Sequence, residues 1–296
     1  MKNNQKKAYI YALLAVFLWS TVASAFKISL QYFDAVQLLL YASLVSFLVL
    51  FVAIIIQKKI KLIFSYPKHI YIWLGILGVI NPFAYYLILF RAYELLPAQE
   101  AQPLNYTWAL TMTYLSIFIL KQPLKFYDFL AGIICYIGVF IILSHGDIFN
   151  ISLTNMDGVF LALFSTLLWS LYWIYNTKLH IDPVIGLFVN FLVGIPFIFI
   201  WALFFSDPFA INLYGLLGAT YVGIFEMGIT FIFWLQAMKL SSNTSQIANL
   251  IFISPFLSLL FISLIVGEKI LFSTFIGLIF IIMGLLLQQK GKKEAI

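Results

Sequence analysis

The sequence predicts an all-α integral membrane protein whose ten transmembrane helices form two inverted five-helix repeats. Three observations predict it. Of the 296 residues, 64% are apolar and only 9% charged, with a mean hydropathy of +1.04; a soluble domain carries about 25% charged residues to meet water. The apolar residues gather into ten runs, each near the roughly 20 residues a helix needs to cross a hydrocarbon core about 30 Å thick. The two halves of the chain also repeat the same sequence blocks in the same order.

In chain order the runs occupy residues 8–26, 34–56, 70–92, 98–119, 126–144, 157–176, 183–205, 214–238, 244–266 and 272–287. What is left makes short loops and two tails, with no room for a soluble catalytic or nucleotide-binding domain. The first run follows Lys2, Lys6 and Lys7 and ends near Ala23-Ser24-Ala25, a pattern that also suits a cleaved signal peptide. Its counterpart in mid-chain favours a span. The net charge of +6 does not mark a nucleic-acid surface, because the basic residues sort by loop. With the N-terminus in the cytoplasm, fourteen Lys and Arg lie inside, and only Lys27, Arg91 and Lys269 lie outside. That bias puts both termini in the cytoplasm. The single cysteine, Cys135, falls inside the fifth run, so no disulfide forms within the chain.

The repeat runs through several blocks. Ala12-Leu13 and Leu18-Trp19-Ser20 in the first helix match Ala162-Leu163 and Leu168-Trp169-Ser170 in the sixth. Leu89-Phe90-Arg91-Ala92 matches Trp234-Leu235-Gln236-Ala237, Ala109 matches Pro255, and the stretch from Ala131 to Gly138 matches that from Gly277 to Gly284. Five spans per half reverse the second half across the bilayer, which gives repeats 1–148 and 149–296 with a binding site expected where they meet near the midplane. The glycines Gly75, Gly78, Gly132, Gly138, Gly215, Gly218, Gly223, Gly277 and Gly284 read as contact points that let helix backbones approach.

Polar and aromatic side chains inside the spans mark the path, since a polar group in a membrane faces protein or water. Gln102, Asn105 and Trp108 recur every third residue of the fourth helix, with Glu100 at its entrance; Gln246 and Asn249 repeat the spacing in the ninth, ahead of Phe252. Trp19 and Trp169 lie far from the interfacial belt where tryptophan collects. Tyr85, Tyr86, Tyr106, Tyr172 and Trp173 add aromatic surface with polar tips. Glu226, in Gly223-Ile224-Phe225-Glu226-Met227-Gly228, is an acid at mid-span, so it is protonated, paired or in a wet cavity. It serves a proton or a substrate ammonium group, and its repeat counterpart is Asn81. Lys27, Asp34, Arg91 and Glu94, at the outer ends, read as solvated residues or gate ion pairs. An intramembrane enzyme is disfavoured: His69, His145 and His180 fall in loops or at helix ends, and no His-Glu-x-x-His occurs. No metal or other cofactor is expected, and the expected unit is a monomer in the lipid bilayer.

This pattern resembles the drug/metabolite transporter superfamily in its ten-helix EamA branch. The resemblance rests on the Trp-Ser pairs, the Ala-rich start of the fourth-type helices, Pro255, the Val266-Gly267-Glu268-Lys269 turn and the Gly277 to Gly284 spacing. Within the branch, Asn105-Tyr106-Thr107-Trp108 and Trp169-Ser170-Leu171-Tyr172 look like the YddG-type aromatic amino-acid exporters of bacterial inner membranes. The chain departs from that pattern at Ala109, where the sibling motif has proline, leaving Pro103 to kink the fourth helix. It departs again at Lys121-Gln122-Pro123, where Gly-Glu is commoner. The resemblance implies a basket of helices around a central cavity lined by helices one, three, four, six, eight and nine. It implies export of small metabolites by alternating access, without ATP. Polar and aromatic placement gives Trp19, Tyr85, Tyr86, Asn105, Tyr106, Trp108, Trp169, Tyr172, Gln246 and Asn249 as substrate-binding residues, with Glu226 and Glu100 as proton or ammonium sites, and the resemblance strengthens Tyr106, Trp108 and Trp169. A sugar-like or nucleotide-like solute is the alternative cargo, although the basic residues a phosphate needs near the midplane are missing.

Overall fold

The computed structural model describes residues 4–121, 126–147, 155–241, 247 and 250–293. Gln122, Pro123, Gln246 and Asn249 lie outside the described residues. Among those described, the chain is all-helical with no strand. Eight helical stretches are long and apolar enough to cross a membrane, and a shorter apolar stretch covers Leu250–Val266.

Small polar residues start several of these helices by accepting from amides that have no intrahelical partner. Asn4 caps α1 (Gln5–Ser29) by accepting from the Lys7 amide at 3.1 Å. Asp34 caps α2 (Ala35–Ile56), accepting from Val36 and Gln37 at 2.8 Å while the Gln37 side chain accepts from the Asp34 amide in return. Asp34 is therefore a reciprocal cap, a role the reading of outer-end charges did not anticipate. α3 (Lys68–Gly78) runs through an irregular turn at Val79–Ala84 into α4 (Tyr85–Leu95). There Asn81 is extended (φ −141°, ψ 116°), as the residue before a proline must often be.

α5 (Ala98–Tyr106) and α6 (Trp108–Leu120) meet at Thr107. The break falls between Pro103 and Ala109: the Thr107 amide bonds Leu104 O, three residues back, and its hydroxyl donates to the same carbonyl at 2.8 Å. That local competition tightens the turn. α7 (Phe126–Leu143) is followed by α8 (Met156–Lys178), capped by Asn155, and α9 (Pro183–Phe205), capped by Asp182. α10 (Leu213–Phe225), capped by Asn212, yields to α11 (Ile229–Leu240) across Glu226-Met227-Gly228, where Gly228 leaves helical geometry (φ −115°, ψ −98°). α12 (Ser254–Phe261) and α13 (Phe272–Lys293) complete the chain.

α1 sits against α10, α11 and α12; α2 against α9 and α10; α8 against α4 and α6; and α7 runs along α13. Outward faces carry exposed Ile56, Phe118, Phe204 and Phe272. Water penalises such a surface and lipid does not, so this is a multi-pass membrane protein. Inside, hydroxyls turn back onto their own helices or reach across: Ser20 Oγ donates to Val16 O at 2.6 Å and Ser170 Oγ to Trp108 O at 2.9 Å. Close helix contact and internally satisfied polar groups replace the missing hydrophobic drive.

Candidate functional site

The helix breaks converge on the interior. Asn81 and Glu226, matched in the repeat, each stand at the interruption of a long span. At the second interruption Ser46 Oγ donates to Met227 O at 2.9 Å, and Thr230 Oγ1 donates to Phe225 O, satisfying carbonyls the break releases. Gly223 lets α10 lie against α2, since a Cβ there would stand 2.5 Å from Ala42 O. The Glu226 carboxylate accepts from Tyr86 OH at 3.1 Å and borders a cavity of about 600 Å³.

Aromatic rings wall this cavity in a continuous belt. Trp234 lies 5.6 Å from Trp19, Trp19 lies 5.4 Å from Phe231, and Phe231 lies 6.2 Å from Trp169. Trp169 stacks on Tyr85 at 4.6 Å, and Tyr85 meets Tyr86 edge-on at 4.7 Å. Asn105 ties the belt to α5: its Nδ2 donates to Ser165 Oγ at 3.1 Å and to Tyr85 OH at 3.5 Å. Of the sequence candidates, Trp19, Tyr85, Asn105, Tyr106, Trp108, Trp169 and Glu226 border the cavity together. Tyr86 stands behind Glu226. Tyr172 is buried behind Trp169, 3.1 Å from the Asn190 amide. Glu100 lies off the cavity wall, with its Oε1 2.9 Å from His145 Nε2.

Sequence reasoning missed Phe231 and Trp234 as wall residues, and Gln288 and Gln289 of α13. The repeat pairs Trp234 with Leu89, and both border the cavity, but no polar or aromatic spacing in the sequence marks that pair.

The cavity has unlike ends. At one, Leu120 and Thr177 are exposed beside Lys121 and Lys178; at the other, Phe26, Tyr93 and Gln102 are buried. Beyond that closed end lies a second hollow of about 500 Å³ bordered by Lys27, Asp34, Tyr93 and Glu94. Lys27 Nζ donates to Tyr93 O and Leu96 O, both at 2.8 Å, so it holds the end of α4. The Glu268 carboxylate accepts from the Ala98 amide at 2.8 Å and the Gln99 amide at 3.1 Å, capping α5 from a distant loop. Arg91 pairs with Glu94. Lys27 and Glu268 thus engage backbone groups, while Arg91 and Glu94 pair with each other.

The pattern of the EamA-like transporter family matches residues 6–144 and again residues 156–288. The chain belongs to the EamA-like transporter family. A relative from Clostridium kluyveri (strain ATCC 8527), named only as an uncharacterized transporter, is 27% identical over 98% of this chain and 95% of its own. The uncharacterized transporter YyaM of Bacillus subtilis (strain 168) is 25% identical over 73% of this chain and 71% of its own. A protein of known crystal structure is similar over 99% of both chains with a TM-score of 0.69 at 18% identity, a likeness of fold. Within the EamA family the broken helices and aromatic-walled cavity belong to a membrane transporter, and the hydrogen bond between Glu100 and His145 lies outside its cavity wall.

Proposed function

We propose that this EamA protein exports small metabolites bearing an ammonium group and a flat or neutral side chain, foremost aromatic and neutral amino acids, across the inner membrane by alternating access. The observation that carries the reading is Glu226, a carboxylate bordering a cavity otherwise walled by Trp19, Tyr85, Trp169, Phe231 and Trp234. Rings bind a flat side chain through their faces, and the acid takes its ammonium or exchanges it for a proton. The resemblance to YddG-type exporters supports the amino-acid class and the outward direction.

Ten spans in two inverted repeats, 1–148 and 149–296, are part of the proposal. Helix pairing supports it: α1 sits with α11 as α8 sits with α4, and α1 with α12 as α8 with α6, while α2 pairs with α9 and α7 with α13. Exchange of partners between halves is what a two-fold relation produces. The lysine bias supports cytoplasmic termini and makes the open end of the cavity the cytoplasmic one. The absence of Lys, Arg and His among the described residues that border the cavity weighs against nucleotide-like cargo.

Purified protein in proteoliposomes, tested with labelled amino acids, checks this. Aromatic amino acids should move down their gradient, and Glu226→Gln should slow them and flatten the pH dependence. Failure to move any amino acid, with a sugar or nucleotide transported instead, would overturn the assignment.

A further inference from the structure

Charge around the cavity is one-sided. Among the described residues that border it, Glu226 is the sole Asp, Glu, Lys, Arg or His. Lys27 borders the separate outer hollow and directs its ammonium at the carbonyls of Tyr93 and Leu96. The Asn105 amide donates to Ser165 and Tyr85. Glu226 shares the cavity wall with the rings of the belt, whose faces carry negative quadrupoles and attract cations. An ammonium ion therefore meets one negative partner and no positive one, while the unpartnered donors of the wall, Trp173 Nε1 and Gln288 Nε2, are neutral. A carboxylate finds no cation, and in an α-amino acid it is fixed one carbon away from the ammonium, so it is held close to Glu226 itself. Like charges in a low-dielectric site repel strongly.

We propose that the cavity selects monocationic arylalkylamines over the corresponding zwitterionic amino acids and rejects the corresponding carboxylates. Glu226 holds the ammonium and Trp169 with Tyr85 holds the ring. This rests on the reading of the central cavity as the transport site and adds to it that aromatic amines bind there more tightly than the amino acids it is proposed to export.

The test uses the full chain in detergent at neutral pH and reads quenching of its intrinsic tryptophan fluorescence, to which Trp19, Trp108, Trp169, Trp173 and Trp234 of the cavity wall contribute. Three probes share one ring and differ in charge: phenethylamine, phenylalanine and 3-phenylpropionate. Phenethylamine should half-saturate at a concentration at least tenfold below phenylalanine, and 3-phenylpropionate should not bind. Glu226→Gln should bring the amine and the amino acid within threefold of each other, and Glu226→Asp should keep the amine ahead. Phenylalanine binding as tightly as phenethylamine overturns the preference and leaves amino-acid transport standing. An unchanged ratio in a folded Glu226→Gln protein overturns the role of Glu226 in it. If none of the three binds the native protein, the preference and the transport-site reading fall together.

Discussion

Asp182 stands ahead of α9, where its carboxylate accepts from the Val184 amide at 3.0 Å and the Ile185 amide at 3.4 Å and pairs with Lys59 Nζ at 2.7 Å. Partial burial pushes its acid strength down, but the Lys59 hydrogen bond and charge and the two amides outweigh it, so the group stays below the usual carboxylate range. A depressed folded-state value stabilises the protein above the unfolded value of about 3.9, and that contribution is lost as the pH falls through the folded value. Asp182→Ala should cost about 1–2 kcal/mol near neutrality, as lost caps do. Asp182→Asn, which keeps a capping oxygen, should cost less than about 1 kcal/mol. Thermal unfolding in detergent at pH 7 checks both, and the gap between native and Ala variants should shrink on acidification. In the cavity, Trp169 contacts Tyr85 and Phe231, and pairs of this kind are worth about 0.5–1.5 kcal/mol each beyond area. Trp169→Ala should lower transport about tenfold with the protein still inserted; unchanged kinetics would assign the ring to packing. Glu226 was legible because an acid at mid-span has few bland explanations. Tyr85 and Tyr86 were not separable, because adjacent helical residues point about 100° apart and lipid, core and cavity all accept an aromatic ring.

At the scale of elements, what decides the architecture is where backbones touch and where they break. α7 and α13 approach so closely that a Cβ on Gly138 would stand 2.5 Å from Gly277 O, and one on Gly277 2.5 Å from Gly138 O. Either helix must shift to admit a methyl group. Gly138→Ala and Gly277→Ala should each destabilise by about 1–3 kcal/mol, with the double variant costing less than the sum because one displacement serves both. Gly75→Ala is the control: nothing lies within 4 Å of its Cβ position, and it should leave the melting temperature unchanged or raised. The sequence marks both glycines as points of close backbone approach, but the repeat spacing does not say which helices meet there. The breaks were less legible. Pro82 carries a visible signal, since proline removes a donor and restricts Asn81 before it. Thr107 carries none, because a threonine hydroxyl also turns back onto the carbonyl three residues earlier inside an unbroken helix, as Thr166 does to Leu163 in α8. Gly228 was noticed as a neighbour of Glu226, yet a lone glycine in an apolar run is more often a packing residue than a hinge.

For the whole molecule, apolar run length and lysine placement are coarse signals that survive errors of a few residues, which is why a multi-pass helical protein was readable before any contact was known. The cavity's depth and the end at which it opens were not, since both depend on which faces of distant helices meet. Access can be tested directly. With Cys135 replaced by Ala, Thr177→Cys lies at the exposed end of the cavity, and Ala23→Cys lies near its buried end. If Lys121 and Lys178 mark the cytoplasmic side, a membrane-impermeant thiol reagent should label Thr177→Cys in inside-out vesicles and spare it in right-side-out vesicles. Ala23→Cys should react slowly from either side while the cavity is empty. If Lys27, on two carbonyls, and Glu268, on two amides, hold the far end closed, loosening it should expose the deep position from outside. Adding Lys27→Met to Ala23→Cys should therefore raise its labelling rate in right-side-out vesicles several-fold and leave the rate at Thr177→Cys in inside-out vesicles unchanged or reduced. Labelling of Thr177→Cys from the outer face would reverse the orientation, and an Ala23→Cys rate indifferent to Lys27 would remove that lysine from the gate.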